Sequence, residues 1–362
     1  MARSRTRVIT VIGGYDEWYP RSRVLVTGLR QNGVRVIEMR TRPKRHTLSR
    51  WVRLLGQYAR AGERCDAILV PEFCHKDVLL GAAIGAFQGT TVVFDPLVSK
   101  YETKVVDRAD AGLYSTGAYT SRAIDRLSLS LPELVLADTE THAAHFRSFA
   151  VPGQRVRVVP VGYDDSLFRP APPPADGPFR VLFYGSYVPL HGAVTIVRAA
   201  AVLCGATNMQ FEMIGGGQTF DAAKCAASDL CADNITFTPR VAPEELPLRI
   251  ARAHVCLGIF GTSAKVRRVV PNKVYQCMGV GRPVVTADTP AMREYFTGDD
   301  NVVLVPSGNA DALAEALARL ADDAPGRDEM GRRALRAVQK RFVPRVLAGE
   351  LLAAIEGVGA GG

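Results

Sequence analysis

Short apolar runs rich in valine and isoleucine alternate with longer helical patterns along the whole sequence. Six runs lie in the first half and six in the second, at residues 8–12, 34–37, 67–70, 91–94, 134–137, 156–159, 181–184, 211–214, 235–237, 255–259, 284–286 and 302–305. Continuous apolar runs are typical of strands that are buried on both faces. Alternation of strands with helices favours parallel sheets joined by crossover helices. The sequence therefore predicts an α/β protein with two parallel sheets.

The proline content of residues 165–178 suggests where the two sheets separate. Five of these fourteen residues are proline, which excludes a helix or a central strand and is typical of a semi-rigid spacer. A length of 362 residues also suggests two domains. We expect an N-terminal domain at 1–165, a linker at 166–178 and a C-terminal domain at 179–344. The last helical pattern, 345–358, follows a break at Pro344 and is expected to pack back on the first domain.

Composition excludes several classes of protein. The chain is 47% hydrophobic and 22% charged, unlike disordered, collagen-like or coiled-coil sequences. The longest uncharged stretch, 78–94, is interrupted by glycine, glutamine and threonine, so it is not expected to span a membrane. The apolar run at 8–12 is too short for a signal peptide, and the seven cysteines show no C-x-x-C spacing. We therefore expect a cytoplasmic protein with reduced thiols.

Four segments of the second half combine glycines with the ends of predicted strands. They lie at 183–192, 214–218, 258–268 and 270–285. Each one alone is more typical of ordinary turn chemistry or of a solvated basic loop. The carboxyl ends of parallel strands meet at one edge of a sheet, however, and glycine turns and helix N-termini suit phosphate there. Together the segments predict an anion-binding site, which gives part of the net charge of +9 a role.

These segments resemble the nucleotide-sugar domain of retaining glycosyltransferases with the GT-B fold, of the family-4 type. The motif V-P-x-G-x-D-x-x-x-F-x-P is present at 159–170, a strand-end glycine at 185, and a G-x-G turn at 215–217. The signature E-A-x-x-x-G-x-P-V is recognisable at 276–284. The similarity extends from about 155 to 345 and is looser in the first half. It implies two Rossmann-like domains that face each other across a cleft, with the donor in the second domain and the acceptor in the first.

The chain departs from the family pattern at the charged positions of the expected donor site. The paired acids of the family are replaced by Arg268 and Gln276, and its two basic anchors by Ser186 and His191. The chain carries the P-N-K-V-Y variant of the signature, in which Lys273 looks like a substitute anchor for the donor diphosphate. Lysine is a suitable point charge for phosphate.

The resemblance therefore implies donor-binding residues at the strand ends and in the loops that follow. These are Gly13, Gly14, Gly185, Ser186, Gly192, Gly215, Gly216, Gly261, Thr262, Lys265, Asn272, Val274 and Gln276. Catalytic roles are expected for Asp95, His191 and Lys273. His191 is equally compatible with a packed turn residue. The alternative for Lys273 is a helix-surface lysine, which the preceding Pro-Asn pair disfavours.

In the first half, Asp95 stands where many family members carry histidine. A carboxylate there is suited to orienting an acceptor hydroxyl or stabilising a positively charged sugar centre. The alternative is an aspartate that caps the turn before Pro96. The expected acceptor-side residues, all in loops after predicted strands, are Tyr19, Arg21, His75, Ser99 and Tyr101.

No metal, cofactor or nucleic acid is implied by the sequence. His142 and His145 lie three residues apart on a predicted helix, but they lack a third ligand nearby, so we interpret them as a packing or surface pair. The sequence has no D-x-D motif and no nucleic-acid-binding module.

Residues 40–60 form a basic amphipathic pattern. Its apolar residues fall on one helical face: Leu48, Trp51, Val52, Leu55, Tyr58 and Ala59. The pattern favours a helix whose apolar face packs on the sheet. The alternative is a helix that lies on an anionic bilayer, with peripheral contact at the inner membrane face.

The predicted function is metal-independent, retaining transfer of a sugar from a UDP- or GDP-sugar to an acceptor in glycan, glycolipid or natural-product biosynthesis. The missing acid pair motivates an alternative, a catalytically degenerate protein that binds nucleotide sugar. A sugar-nucleotide epimerase is a third interpretation, although the acid/base pairs that it needs are not evident.

Overall fold

The computed structural model describes residues 7–43, 46–174 and 177–359. The chain divides into two compact units, one formed by Met1–Gly162 with Val343–Gly362 and the other by Tyr163–Phe342. Two residues of the basic segment, Lys44 and Arg45, and two of the proline-rich segment lie outside the described residues.

The described part of the first unit contains a six-stranded sheet in the order β2-β1-β3-β4-β5-β6, with every neighbouring pair parallel. Its strands are β1 (Val8–Gly13), β2 (Arg35–Arg40), β3 (Ala67–Val70), β4 (Thr91–Phe94), β5 (Leu134–Ala137) and β6 (Arg155–Val158). Its helices up to β6 are α1 (Pro20–Gln31), α2 (Thr47–Ala61), α3 (Val78–Gln88), a π-helix (Glu102–Asp107), α4 (Thr116–Ser130) and α5 (Glu140–Arg147).

The described part of the second unit contains another parallel six-stranded sheet, in the order β12-β11-β10-β7-β8-β9. The strands are β7 (Phe179–Gly185), β8 (Met209–Gly215), β9 (Ile235–Thr238), β10 (Val255–Leu257), β11 (Val284–Ala287) and β12 (Val303–Val305). The helices are α6 (Ala193–Leu203), α7 (Phe220–Asp229), α8 (Leu246–Arg252), α9 (Asn272–Gly279), α10 (Pro290–Tyr295), α11 (Ala310–Asp322) and α12 (Ala324–Arg341), with 3₁₀ turns at Pro189–His191 and Ala264–Arg268.

The twelve predicted strands correspond to the strands of these two sheets, so the α/β prediction is confirmed for the described residues. Residues of β1, β3, β5 and β10 are buried throughout, as continuous apolar runs require. At their carboxyl ends, two strands differ most from the prediction: β2 extends three residues beyond its predicted end, to Arg40, and β10 ends before Ile259. The N–H of Ile259 donates to the side-chain oxygen of Thr286 at 3.1 Å, while its carbonyl still accepts the N–H of Ala287.

The final helix, α13 (Pro344–Gly359), packs against α1 in the first unit. A Cβ atom on Gly28 would lie 1.9 Å from the carbonyl oxygen of Pro344, so only glycine allows this approach. Leu347 and Leu351 of α13 are buried in the core of the first unit.

The proline-rich segment belongs to the second unit, and the division falls a few residues before the expected linker. The N–H of Ala171 donates to the carbonyl of Val280, and the Arg282 guanidinium donates to the carbonyls of Ala171 and Pro172. The described part of this segment therefore packs along the turn between α9 and β11 and is not a free spacer.

Candidate functional site

The turn after β7 packs backbone to backbone against the turn after β10. Gly192 has φ +64°, and a Cβ there would lie 2.5 Å from the carbonyl carbon of Phe260. The carbonyl of His191 accepts the N–H of Phe260 at 3.1 Å. A Cβ on Gly261 would lie 2.6 Å from the carbonyl oxygen of Pro189. Glycines 192 and 261 are thus required by close packing of two strand-end turns.

The G-x-G turn after β8 approaches the same place. A Cβ on Gly215 would lie 2.0 Å from the carbonyl oxygen of Gly185, and one on Gly217 would lie 1.9 Å from that of Ser186. Gly216 has nothing within 4 Å of its Cβ position. Two of the three glycines therefore allow the turns after β7 and β8 to meet, and only Gly216 has open space beside it.

Lys273 lies in the first turn of α9 and is buried, with 5% of its surface exposed. Its Nζ is 3.0 Å from the Cβ position of Gly185 and 4.2 Å from the centroid of the Phe183 ring. The Cε1 atom of His191 is 2.6 Å from the same Cβ position. The end of β7 thus brings together three predicted residues, Gly185, His191 and Lys273, and the surface-lysine alternative for Lys273 is wrong.

The ammonium group of Lys273 has no hydrogen-bond partner among the described residues. Burial lowers the pKa of Lys273 to about 7. A buried ammonium without a counter-charge is unfavourable, and an anion at this position would raise its pKa again. The geometry therefore suits a ligand that carries negative charge, such as a phosphate oxygen.

Gln276 lies one turn beyond Lys273 and is also buried. Its Oε1 accepts a hydrogen bond from the Tyr184 hydroxyl at 2.8 Å. One lone pair of this oxygen is therefore used inside the protein, and the second lone pair and the Nε2 donor are left for a ligand. The side chain of Val274 is buried in the core, while Asn272 is half-buried.

The basic loop after β10 has both buried and exposed members. Lys265 is 5% exposed in the turn Ala264–Arg268, whereas Thr262 is exposed and Gly261 is buried. Ser186, after β7, is exposed. The loop thus places one buried cation, Lys265, in the neighbourhood of the strand ends.

A cleft of about 490 Å³ opens at the carboxyl ends of β7, β8 and β9. It is lined by Gly185, Ser186, Gly215, Gly216, Phe220, Lys224, Phe237, Pro239 and Arg240. The last five were missed by sequence reasoning, although Pro239 and Arg240 directly follow the last residue of β9. The cleft combines two aromatic rings with two cations.

In the first unit, buried carboxylates follow three neighbouring strands, β3, β4 and β5. They are Glu72, Asp95 and Asp138. Arg21, which is fully buried in the first turn of α1, donates through Nε to Asp95 at 2.6 Å and through Nη2 at 3.3 Å. It also donates to the carbonyl of Pro160. Both oxygens of Asp95 are therefore paired inside the protein, which favours a positioning role over the expected contact with the reacting sugar, and Arg21 is not exposed to an acceptor.

Glu72 is the unusual member of this group. The Ser22 hydroxyl donates to its carboxylate at 2.6 Å. Burial, and then the negative charge of Asp95, raise the pKa of Glu72 to about 8. Burial also raises the pKa of Asp95, against the opposing effect of Arg21. With a pKa of about 8, Glu72 is mostly protonated at neutral pH.

His142 and His145 are packing residues, as interpreted from the sequence. His142 is buried, its Nδ1 lies 2.6 Å from Asp138 Oδ1, and its ring lies 4.2 Å from that of Phe146. The described residues contain no group of three or more His, Cys, Asp or Glu side chains placed to hold a metal ion.

Asp125 of α4 holds together the loops that carry the expected acceptor-side residues. It accepts hydrogen bonds from the Ser99 hydroxyl and from the N–H of Tyr101, both at 2.8 Å. His75 Nε2 lies 2.9 Å from the carbonyl oxygen of Val98 and 3.6 Å from Asp125 Oδ1. Burial lowers the pKa of His75. Sequence reasoning missed Asp125, since nothing in the pattern of α4 distinguishes it.

The loop after β1 packs against the loop after β3. The N–H of Gly14 donates to Asp77 at 2.9 Å, and a Cβ on Gly13 would lie 2.7 Å from the sulfur of Cys74. Tyr19 precedes α1 and makes an edge-on contact with Phe73, with 5.0 Å between ring centroids. Gly13 is thus needed for packing between the loops, whereas a Cβ on Gly14 would meet the side chain of Arg50 at 2.6 Å.

Helix α2 exposes apolar residues and buries an arginine. Arg50 is 8% exposed and pairs with Asp77 at 2.8 Å. Leu48, Val52 and Leu55 are 65%, 70% and 44% exposed. The prediction that the apolar face packs on the sheet is therefore wrong for these three residues. None of the described helices is both long and apolar enough to cross a membrane.

Comparisons with known proteins agree with this architecture. The family described as Glycosyl transferases group 1 matches residues 178–323, within the second unit. An MMP alpha-(1->4)-mannosyltransferase of Mycolicibacterium hassiacum is 24% identical over 237 residues, which is 64% of this chain and 55% of that protein. The chain thus spans about half the length of this curated relative.

Solved structures match nearly the whole chain. Sucrose-phosphate synthase from Thermosynechococcus elongatus gives a TM-score of 0.76 at 16% identity, over 99% of this chain and 100% of that chain. Anabaena HepE, in complex with UDP and glucose, gives 0.70 at 14% identity, over 97% and 100%. The fold is therefore that of the GT-B glycosyltransferases. Within this fold, residues 178–323 of the second unit match the Glycosyl transferases group 1 family.

Proposed function

We propose that the protein is a retaining glycosyltransferase that needs neither a metal nor another cofactor and uses a UDP- or GDP-sugar as donor. The observation that carries the proposal is the buried ammonium of Lys273, which lies beside Gly185 and His191 without a partner among the described residues. The complexes of Anabaena HepE with UDP and with UDP-glucose support a nucleotide donor.

In this proposal the second unit binds the donor diphosphate. Lys273 and His191 contact it at the end of β7, Lys265 approaches from the basic loop, and Ser186 and Gly216 line the open side. Positive charge at this point stabilises the leaving diphosphate, which is where negative charge develops. A donor phosphate oxygen accepts the proton of the acceptor hydroxyl on the same face of the sugar, so no enzyme nucleophile is required.

The binding role can be tested with Lys273→Ala and Lys265→Ala, using calorimetric titration with UDP, GDP and their sugars. Loss of a charge-assisted contact of about 1.5–3 kcal/mol should weaken binding by roughly tenfold to a hundredfold. Lys340→Ala is the matched control, because Lys340 is exposed on α12. If neither of the two substitutions weakens nucleotide-sugar binding, the anchor assignment fails.

A second candidate is a degenerate protein that binds nucleotide sugar without transferring it. Two observations favour keeping it: Arg268 and Gln276 replace the family's acids, and Gln276 Oε1 is engaged by Tyr184. Release of nucleoside diphosphate only in the presence of an acceptor would identify a transferase. Binding without turnover would identify the degenerate protein, and an isomerised donor without acceptor would identify an epimerase.

We also propose that α2 rests on the anionic inner face of the cytoplasmic membrane. The exposed residues Leu48, Val52 and Leu55 form a stripe, and the exposed Arg53 and Arg60 flank it. Such a stripe suits the headgroup boundary, and the arginines suit anionic lipid.

Co-sedimentation with phosphatidylglycerol and phosphatidylcholine vesicles tests this contact. Val52→Glu should abolish binding to the anionic vesicles, because it places a carboxylate in the stripe. Phe87→Glu is the matched control, since Phe87 is 84% exposed but belongs to α3. If the unaltered protein does not bind the anionic vesicles, the membrane proposal is wrong.

A further inference from the structure

Three lysines lie in the loops that leave the carboxyl ends of two adjacent strands. Lys76 follows β3, and Lys100 and Lys104 follow β4. The hydrogen bond between His75 Nε2 and the carbonyl of Val98, at 2.9 Å, ties the two loops together one or two residues from Lys76 and Lys100. Lys104 approaches the first turn of α4, with its Nζ 3.8 Å from the Cβ position of Gly117.

The charges of these lysines act on one another. Lys100 is half-buried, and burial is the largest cause that lowers its pKa. The positive charges of Lys76 and Lys104 lower it further, while Asp125 has the opposite effect. Lys76 and Lys104 are exposed. The three positive charges thus lie near enough to act on Lys100, and an anion between them would relieve their repulsion.

Two acids in or beside these loops, Asp77 and Asp125, are engaged with other groups. Asp77 binds the Arg50 guanidinium and the N–H of Gly14. Asp125 binds the Ser99 hydroxyl and two backbone N–H groups. Within the residues 7–43, 46–174 and 177–359, none of the three lysine ammonium groups forms an ion pair. The fold therefore directs Asp77 and Asp125 to other groups, while Glu102 and Asp107, in the same π-helix as Lys104, are buried.

We propose that Lys76, Lys100 and Lys104, here called the lysine cluster, bind a phosphate group carried by the acceptor. This inference rests on the proposed glycosyltransferase function and names the class of acceptor. Lysine ammonium groups act as compact point charges for phosphate, whose several oxygens can accept from three donors at once. The phosphate belongs either to a small soluble phosphate ester or to a lipid headgroup, and the experiment distinguishes these sources.

The test is lysine acetylation of the full-length protein, followed by peptide mass spectrometry. Acetylation rates of the lysine cluster, Lys273 and Lys340 are compared in four conditions at equal ionic strength. These are sodium chloride alone, glycerol 3-phosphate, phosphatidylglycerol vesicles, and UDP with GDP. We expect at least threefold protection of the lysine cluster by glycerol 3-phosphate or by the vesicles, and no protection of Lys340.

Protection by glycerol 3-phosphate identifies a soluble phosphate ester, and protection by the vesicles alone identifies a lipid headgroup. If neither protects the lysine cluster beyond sodium chloride, the inference is overturned. Protection of Lys273 is measured in the condition with UDP and GDP, so failure of the acceptor site and failure of the donor site remain distinguishable.

Substitutions give a second measurement that does not depend on chemical labelling. Each of Lys76→Gln and Lys104→Gln should raise the dissociation constant for the protecting phosphate probe about fivefold, as removal of one exposed charge at contact distance predicts. Lys100→Arg keeps the charge and should bind normally, whereas Lys100→Gln should not. Equal binding by all four variants would overturn the proposal. An unchanged urea unfolding transition, followed by the fluorescence of Trp18 and Trp51, would show that the first unit of each variant is folded.

Discussion

Replacement of Lys273 by methionine should stabilise the second unit at neutral pH while it weakens donor binding. Methionine is close to lysine in length and can keep the contact with the Phe183 ring. It removes an ammonium group that is buried without a partner among the described residues. Stability and binding are therefore expected to move in opposite directions.

The magnitude follows from the difference in proton affinity between the folded and unfolded chain. The pKa of Lys273 falls from an ordinary value of 10.5 to about 7 on folding. Between these values the unfolded state binds more protons, so the stability of the unaltered protein rises with pH across this window. At about 1.4 kcal/mol per pH unit, the cost of Lys273 is roughly 4 kcal/mol at pH 7 and about 1 kcal/mol at pH 10. Lys273→Met should recover most of it.

The assay must report on the second unit, because both tryptophans, Trp18 and Trp51, belong to the first. Hydrogen exchange of peptides from β7 and α9, measured with increasing urea at pH 7 and pH 10, gives the local stability. Lys340→Met is the control and should change neither value. If Lys273→Met increases the local stability at pH 7 by no more than it does at pH 10, the reasoning is wrong, since the ammonium would then have a counter-charge in solution.

Three further substitutions test other contacts. Glu72 holds a proton in the folded protein up to about pH 8, so the free energy of unfolding should fall by up to about 1.4 kcal/mol per pH unit between pH 4.5 and 8. Glu72→Gln should remove this fall, as measured by urea unfolding with tryptophan fluorescence. If the variant keeps the pH dependence of the unaltered protein, the prediction is wrong. Gly185→Ala places a Cβ 2.6 Å from His191 and should cost about 1–3 kcal/mol and weaken nucleotide binding, whereas Gly216→Ala, which meets nothing within 4 Å, should not alter stability in thermal melts. Asp95→Asn leaves a buried guanidinium without its counter-charge and should cost about 3–5 kcal/mol in the same urea assay; lost turnover at unchanged stability would instead assign Asp95 to the acceptor.

The strands, and the residues that directly follow them, could be predicted because both depend on local sequence. Strands buried on both faces consist of continuous apolar runs, and residues after such runs meet at one sheet edge. His191 follows such a run, whereas Lys273 is indicated only by the family resemblance, and the structure alone reveals that its ammonium is buried.

Contacts between distant residues could not be predicted in the same way. The Arg21–Asp95 ion pair spans 74 residues and the Tyr184–Gln276 hydrogen bond spans 92. The helical periodicity of α2 gives an apolar face but does not determine which face meets the sheet. That orientation depends on the buried ion pair between the Arg50 guanidinium and Asp77, two residues that are 27 positions apart in the sequence.

The docking of α13 on α1 has a consequence for the order in which the molecule is assembled. The second unit, Tyr163–Phe342, is inserted within the first, whose own final helix is made only after it. During synthesis the inserted unit can complete its sheet while Gly28 still lacks the backbone of Pro344 against which it packs. Closing the first unit requires a contact across more than three hundred residues, and such long-range contacts form slowly. The first unit, whose synthesis begins before that of the second, is therefore expected to reach its native structure last.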